Sequence, residues 1–160
     1  MLGSFGVGKT SLVQQFVYSL FSEKYLTTIG VKVDKKTVSF GSREVQLLIW
    51  DIYGEETFQK MQATYLRGAS GYLLVVDGTR KDTLAHAYGI REKVEMAADK
   101  TPFALILNKS DLSDHWEIED SDIEKAAQSG LHVLKTSAKT GENVDQAFQT
   151  LTDKIMNNTA

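Results

Sequence analysis

Gly3-Ser4-Phe5-Gly6-Val7-Gly8-Lys9-Thr10 is the first stretch of the chain equipped for chemistry. Its glycines let successive backbone N–H groups curl inward as a concave nest for phosphate oxygens. Lys9 places a charge on β- and γ-phosphates, and the Thr10 hydroxyl is a ligand for the Mg²⁺ that accompanies them. The following Ser11-Leu12-Val13-Gln14-Gln15-Phe16-Val17 reads as a helix, whose positive N-terminal end points at the same anions. This is a P-loop, and Gly3 to Ser11 are its expected phosphate-binding residues. By itself it does not specify a nucleotide.

Three further clusters sit where a nucleotide site needs them. Asp51 ends the apolar run Val45-Gln46-Leu47-Leu48-Ile49-Trp50, with Gly54 shortly after. A carboxylate there can hold Mg²⁺ through water, although a cap or turn aspartate would look the same. Asn108-Lys109-Ser110-Asp111 follows the apolar run Phe103 to Leu107, and Thr136-Ser137-Ala138-Lys139 follows His132 to Leu134. Each alone could be an ordinary polar turn. Taken together and in this order, they point to guanine. The Asp111 carboxylate can accept hydrogen bonds from guanine N1–H and N2–H₂, whereas adenine offers neither, and an unpaired buried charge would penalise the wrong base.

These clusters require elements to position them. A helix is expected from Lys9 to about Phe21, then a hairpin with strands Val31 to Phe40 and Val45 to Ile52 around Gly41-Ser42-Arg43. A short helix is expected to about Leu66. Tyr72 to Val76 and Phe103 to Leu107 are continuous apolar runs suited to strands buried on both faces of a mainly parallel sheet. Thr83 to Ala98 reads as a helix, and Ser121-Asp122-Ile123-Glu124 as a capping box opening another. Val144, Ala147, Phe148, Leu151 and Ile155 recur at helical spacing in a last helix. The fold expected is α/β, a P-loop domain with a mostly parallel central sheet and helices on both faces. Every suggestive motif falls at a strand's carboxyl end, where such folds bind ligands. A P-loop normally follows a strand, and with only two residues before Gly3 that first strand is expected to be truncated.

The 160 residues correspond to one domain, 1–160, with 42% apolar and 24% charged residues. A net charge of −3 carries no nucleic-acid footprint. Without cysteine there is no disulfide or catalytic thiol, and no prenyl or palmitoyl anchor is expected on this chain as written. No apolar run is long enough to cross a bilayer, and no signal peptide precedes the P-loop, so a cytoplasmic location is expected, with peripheral membrane attachment only through a lipidated tail. His86, His115 and His132 are scattered and read as surface or edge residues.

Through these motifs the chain resembles the Ras superfamily of small GTPases. Thr27-Thr28-Ile29-Gly30-Val31 and Tyr65-Leu66-Arg67-Gly68-Ala69 make it most similar to the Rab branch. The resemblance implies that Phe21 packs against guanine and that Tyr25 lies over the phosphates. It implies that Thr28 ligates Mg²⁺ and meets the γ-phosphate, that Asp51 serves the metal through water, and that Gly54 senses the γ-phosphate. Asn108, Lys109 and Asp111 would hold the base. Ser137, Ala138 and Lys139 would complete that pocket, the Ala138 N–H reaching guanine O6. The implied ligands are GTP or GDP with Mg²⁺. The implied partners are effector, exchange-factor and GTPase-activating proteins, reading an apolar face around Ile29, Val31, Trp50, Phe58 and Tyr65.

Three departures cluster at the γ-phosphate. The family's Asp-Thr-Ala-Gly-Gln-Glu reads Asp51-Ile52-Tyr53-Gly54-Glu55-Glu56 here. Glu55 stands at the position of the glutamine that orients the attacking water. An ionised glutamate only accepts hydrogen bonds and brings negative charge to an anionic centre. Tyr53 and Phe5 add bulk, and no arginine is placed by motif as a finger in cis. The expected activity is that of a signalling switch with slow hydrolysis, its catalytic set Lys9, Gly54 and Glu55. The alternatives are a pseudo-GTPase that binds without turnover and, third, a P-loop ATPase or kinase.

Overall fold

The computed structural model describes residues 1–24, 30–52, 66, 68–97 and 100–158. Helix α1 (Lys9–Tyr18) leads to the hairpin β1 (Val31–Phe40) and β2 (Arg43–Ile52), and then to β3 (Tyr72–Asp77) and α2 (Asp82–Ala97). Strand β4 (Phe103–Asn108), a 3₁₀ turn (Ser113–His115), α3 (Asp120–Gln128), β5 (Val133–Lys135) and α4 (Val144–Asn158) complete the order. Strands β3, β4 and β5 form a parallel sheet, while β1 and β2 pair antiparallel.

Side-chain alternation along the parallel strands divides the core in two. Leu73 and Val75 of β3, with Ala104 and Ile106 of β4, face α1 and α4, where Phe16 and Phe148 stack with ring centroids 3.9 Å apart. Tyr72, Leu74 and Val76, with Leu105 and Leu107, face Leu84, Ala87 and Val94 of α2 and Ala126 of α3. Both faces of the strands are thus covered, which is why they read as unbroken apolar runs.

Between β2 and β3 lies a single bridging residue. The Leu2 N–H donates to Leu73 O at 2.9 Å and Leu2 O accepts from Val75 N–H at 2.8 Å, a parallel bridge, while the Met1 amine donates to Trp50 O at 2.8 Å. Met1 and Leu2 thus join the hairpin to the parallel sheet.

Several boundaries differ from the sequence reading. Helix α1 stops at Tyr18, because Ser19 turns left-handed at φ 53° and its N–H caps Gln14 O and Gln15 O. The exposed Leu20 and Phe21 offer no buried face to prolong it. The hairpin turn is two residues, Gly41 and Ser42, so β2 starts at Arg43. Strand β5 lies one residue later than expected. The α3 capping box is formed by Glu119 and Asp122, not Ser121 and Glu124; the Glu119 N–H donates to Asp122 Oδ2 at 3.2 Å. Lys81 pairs with both carboxylates, at 3.2 and 3.0 Å, and holds them at the helix entrance. The three histidines are exposed, as expected.

Phe148→Ala should cost about 3–5 kcal/mol, since it removes a buried ring and leaves Phe16 unstacked. Urea denaturation monitored by circular dichroism measures this, and a loss under about 1 kcal/mol would contradict the packing described.

Candidate nucleotide site

The phosphate loop takes its shape from backbone conformations that only glycine accepts cheaply. Gly8 has φ +99°, and a Cβ there would stand 2.3 Å from Asn108 Nδ2. At Gly3, φ +142°, a Cβ would stand 2.3 Å from Val75 O. Val7 is wholly buried and anchors the loop from beneath. Lys9 folds its ammonium back over the loop and donates to Gly3 O at 2.8 Å and Ser4 O at 2.9 Å. Gly8 caps α1, whose first turn begins at Lys9 and Thr10.

Thr10 and Asp51 meet here although 41 residues separate them. The Thr10 hydroxyl donates to Asp51 Oδ2 at 2.5 Å, and Asp51 is only 1% exposed. A hydroxyl beside a buried carboxylate is a set of hard oxygen donors, the chemistry that suits Mg²⁺ completed by phosphate oxygens and water. These residues fit the ion that the P-loop implies.

The base side is assembled from the ends of β4 and β5. Asn108 is 1% exposed, and its side chain joins three segments. Its Nδ2 donates to Val7 O at 3.0 Å, and its Oδ1 accepts from the Ala138 N–H at 3.2 Å and the Thr136 hydroxyl at 3.3 Å. Asp111 Oδ1 accepts from the Ser137 hydroxyl at 2.5 Å, which orients the carboxylate. Ser137 itself is buried, its N–H bonded to Glu142 O at 3.0 Å. Lys109 adopts φ 70°, an uncommon left-handed conformation for a non-glycine residue. Its ammonium donates to Asp77 Oδ2 at 2.6 Å.

A cleft of about 360 Å³ runs between these halves, within the range of small-molecule sites. Phe5, Gly6, Gly8, Lys9, Thr10, Ser11 and Asp51 line its phosphate end, and Phe21, Asn108, Lys109, Asp111, Ala138 and Lys139 its base end. Gly3, Ser4, Val7 and Ser137 stand behind the lining as supports. Phe21 remains 38% exposed, and Lys139 pairs with Glu23 at 3.2 Å at the rim. Tyr25, Thr28, Tyr53, Gly54 and Glu55 lie outside the described residues, as do Ile29, Phe58 and Tyr65.

Asp77 was missed in the sequence reading. It closes the apolar run of β3 just as Asp51 closes the apolar run of β2, so the same argument finds it. It is 1% exposed, and burial pushes its carboxyl up. The opposing hydrogen bonds from Lys109 and from the Thr79 hydroxyl and N–H, together with the Lys109 charge, prevail and hold it below the ordinary value of 3.8.

A glycine-rich phosphate loop at a helix N-terminus, joined through one asparagine to a base pocket at adjacent strand ends, defines the P-loop nucleotide-binding class in its guanine-reading form. A model of the Ras family matches residues 1–157, and the chain belongs to that family. It is thus a small GTPase of the nucleotide-dependent switch type, in a family that binds GTP and GDP with Mg²⁺.

Because the folded pKa of Asp77 is depressed, its contribution to stability is complete above about pH 4 and is lost as pH falls through the folded value. Urea midpoints measured from pH 7 downward should show Asp77→Asn less stable than wild type at neutral pH, with a shallower decline below pH 4. Parallel acid declines in the two proteins would remove Asp77 as a contributor.

Proposed function

We propose that this chain is a Rab-like guanine-nucleotide switch that hydrolyses GTP slowly and presents its nucleotide state to effector proteins. The observation that carries this is a single cleft lined at one end by Lys9, Thr10 and Asp51 and at the other by Asp111 and Ala138. In this reading the loop N–H groups and the Lys9 ammonium bind the β- and γ-phosphates, with Lys9 exchanging its bonds to loop carbonyls for the anion. Thr10 would hold Mg²⁺, with Asp51 reaching it through water, and the bound ion would supply charge stabilisation for phosphoryl transfer. Asp111 accepts from the guanine edge, the Ala138 N–H donates to O6, and Phe21 and the Lys109 stem sandwich the ring. Thr28 and Gly54 bind the γ-phosphate while it is present, which orders the two loops that partners read.

The partner surface in this reading includes the outward face of the hairpin. Val33 and Trp50 are directly paired across β1 and β2, with Leu48 beside them, and all three are substantially exposed. Isolated apolar residues are common on surfaces, but a cross-strand cluster next to the nucleotide-responsive segments suits protein contact.

A second reading, a pseudo-GTPase, is favoured by Phe5. Its side chain is 47% exposed at the phosphate end of the cleft, where an incoming arginine finger would approach. Glu55 adds an acceptor-only group where water must be oriented.

Single-turnover hydrolysis with Mg²⁺ distinguishes the two. The wild type should cleave GTP slowly, and Glu55→Gln should accelerate it by roughly tenfold or more, the scale of one positioned transition-state contact. A wild type with no measurable cleavage, even with candidate activators, leaves the pseudo-GTPase reading. Mass spectrometry of the purified protein should find GDP or GTP, whereas bound ADP or ATP would refute the role given to Asp111.

A further inference from the structure

The phosphate loop is shaped by what its carbonyls are bonded to. A planar trans peptide carries its N–H on the side opposite its C=O, so drawing a carbonyl outward turns the next N–H the other way. Among the described residues, three side chains are seen to draw the loop carbonyls. Lys9 takes Gly3 O and Ser4 O, and Asn108 takes Val7 O. Both belong to motifs legible in the sequence. The third belongs to none: Arg80 Nη2 donates to Phe5 O at 2.9 Å across 75 residues of chain.

Arg80 is itself held. Its Nε donates to Oδ2 of the buried Asp77 at 3.0 Å, the same oxygen that receives Lys109 Nζ at 2.6 Å. Asp77 Oδ1 accepts from the Thr79 N–H at 3.0 Å and the Thr79 hydroxyl at 2.7 Å. The Arg80 carbonyl is also engaged, accepting from the Thr83 hydroxyl at 2.7 Å. A carboxylate with both oxygens occupied and almost no exposure is a rigid support, and the planar guanidinium fork can bond it with one edge and Phe5 O with another.

We propose that Arg80 is a positioning residue for the phosphate loop. It fixes the Phe5–Gly6 peptide so that the Gly6 N–H is turned into the nest, and through Asp77 it ties this peptide to the base-side Lys109. The assignment rests on the guanine-nucleotide reading above. It places an arginine of this chain at the loop backbone, in a supporting role and not as a finger. It also explains how a bulky residue is accommodated at position 5: the backbone there is clamped from outside the cleft, independently of the side chain.

The test is stopped-flow release of a fluorescent GDP analogue, with competition by GDP and by GMP. Arg80→Ala should release the GDP analogue roughly tenfold faster, the scale of one charge-assisted hydrogen bond. The loss should be smaller for GMP, which presents fewer phosphate oxygens to the nest, so the GDP-to-GMP affinity ratio should fall. Arg80→Lys keeps the charge but has a single nitrogen, and should recover only part of the wild-type rate. Release from Arg80→Ala within twofold of wild type would overturn the proposal, as would equal losses for GDP and GMP, which indicate a general structural effect. A wild type that does not retain GDP would instead remove the nucleotide reading itself, and this proposal with it.

Discussion

The Asn108 carboxamide is the contact on which the site depends. It is the only described side chain that bonds the phosphate loop, the end of β4 and the loop after β5 together, through Val7, Thr136 and Ala138. Its burial makes it an all-or-none element, because a carboxamide shut away from water must satisfy both its donor and its acceptor. Gly8 leaves the space that the amide nitrogen fills, so the glycine of one motif and the asparagine of another are a single steric requirement. Distance between the phosphate and base ends of the cleft is thereby set by covalent geometry and three hydrogen bonds, with little left to loop flexibility.

Just ahead of the phosphate loop, Leu2 adds one N–H and one C=O paired to β3. The side chains of Lys9, Asn108 and Arg80 hold the loop by its carbonyls, Lys9 at Gly3 and Ser4, Asn108 at Val7 and Arg80 at Phe5. On the proposed function, binding and turnover then separate physically. Groups that shape the nest and read the base are tied into the buried core. In that reading Phe5 and Glu55 would act on hydrolysis at the γ-phosphate end, apart from those ties.

Much of this was legible in the sequence. Glycine spacing, continuous apolar runs and polar clusters at strand ends located both halves of the site and the covered parallel sheet, since those signals report backbone conformation and burial directly. What was not legible depended on tertiary pairing. The end of α1 was set by a left-handed serine and the lack of anything for Phe21 to bury against. The α3 cap moved to Glu119 and Asp122 because Lys81, distant in sequence, pairs with both. Arg80 carries no motif; only the fold brings its guanidinium to Phe5. Asp77 could have been read, since a carboxylate closing a buried strand was already the argument for Asp51.

Trp116 lies over the turn that presents Asp77 and Arg80, its ring filling the space a Cβ of Gly78 would need, as close as 1.9 Å. Its indole Nε1 is buried without a hydrogen-bond partner among the described residues, and Lys135 sits 5.3 Å from the ring centroid. The only other tryptophan, Trp50, stands 41% exposed on the outward face of the hairpin. The protein thus carries two optical probes in different surroundings, a half-buried one packed on Gly78, next in sequence to Asp77, and an exposed one on the hairpin. Their emission reports separately on two places, the turn at Gly78 and the outward face of the hairpin.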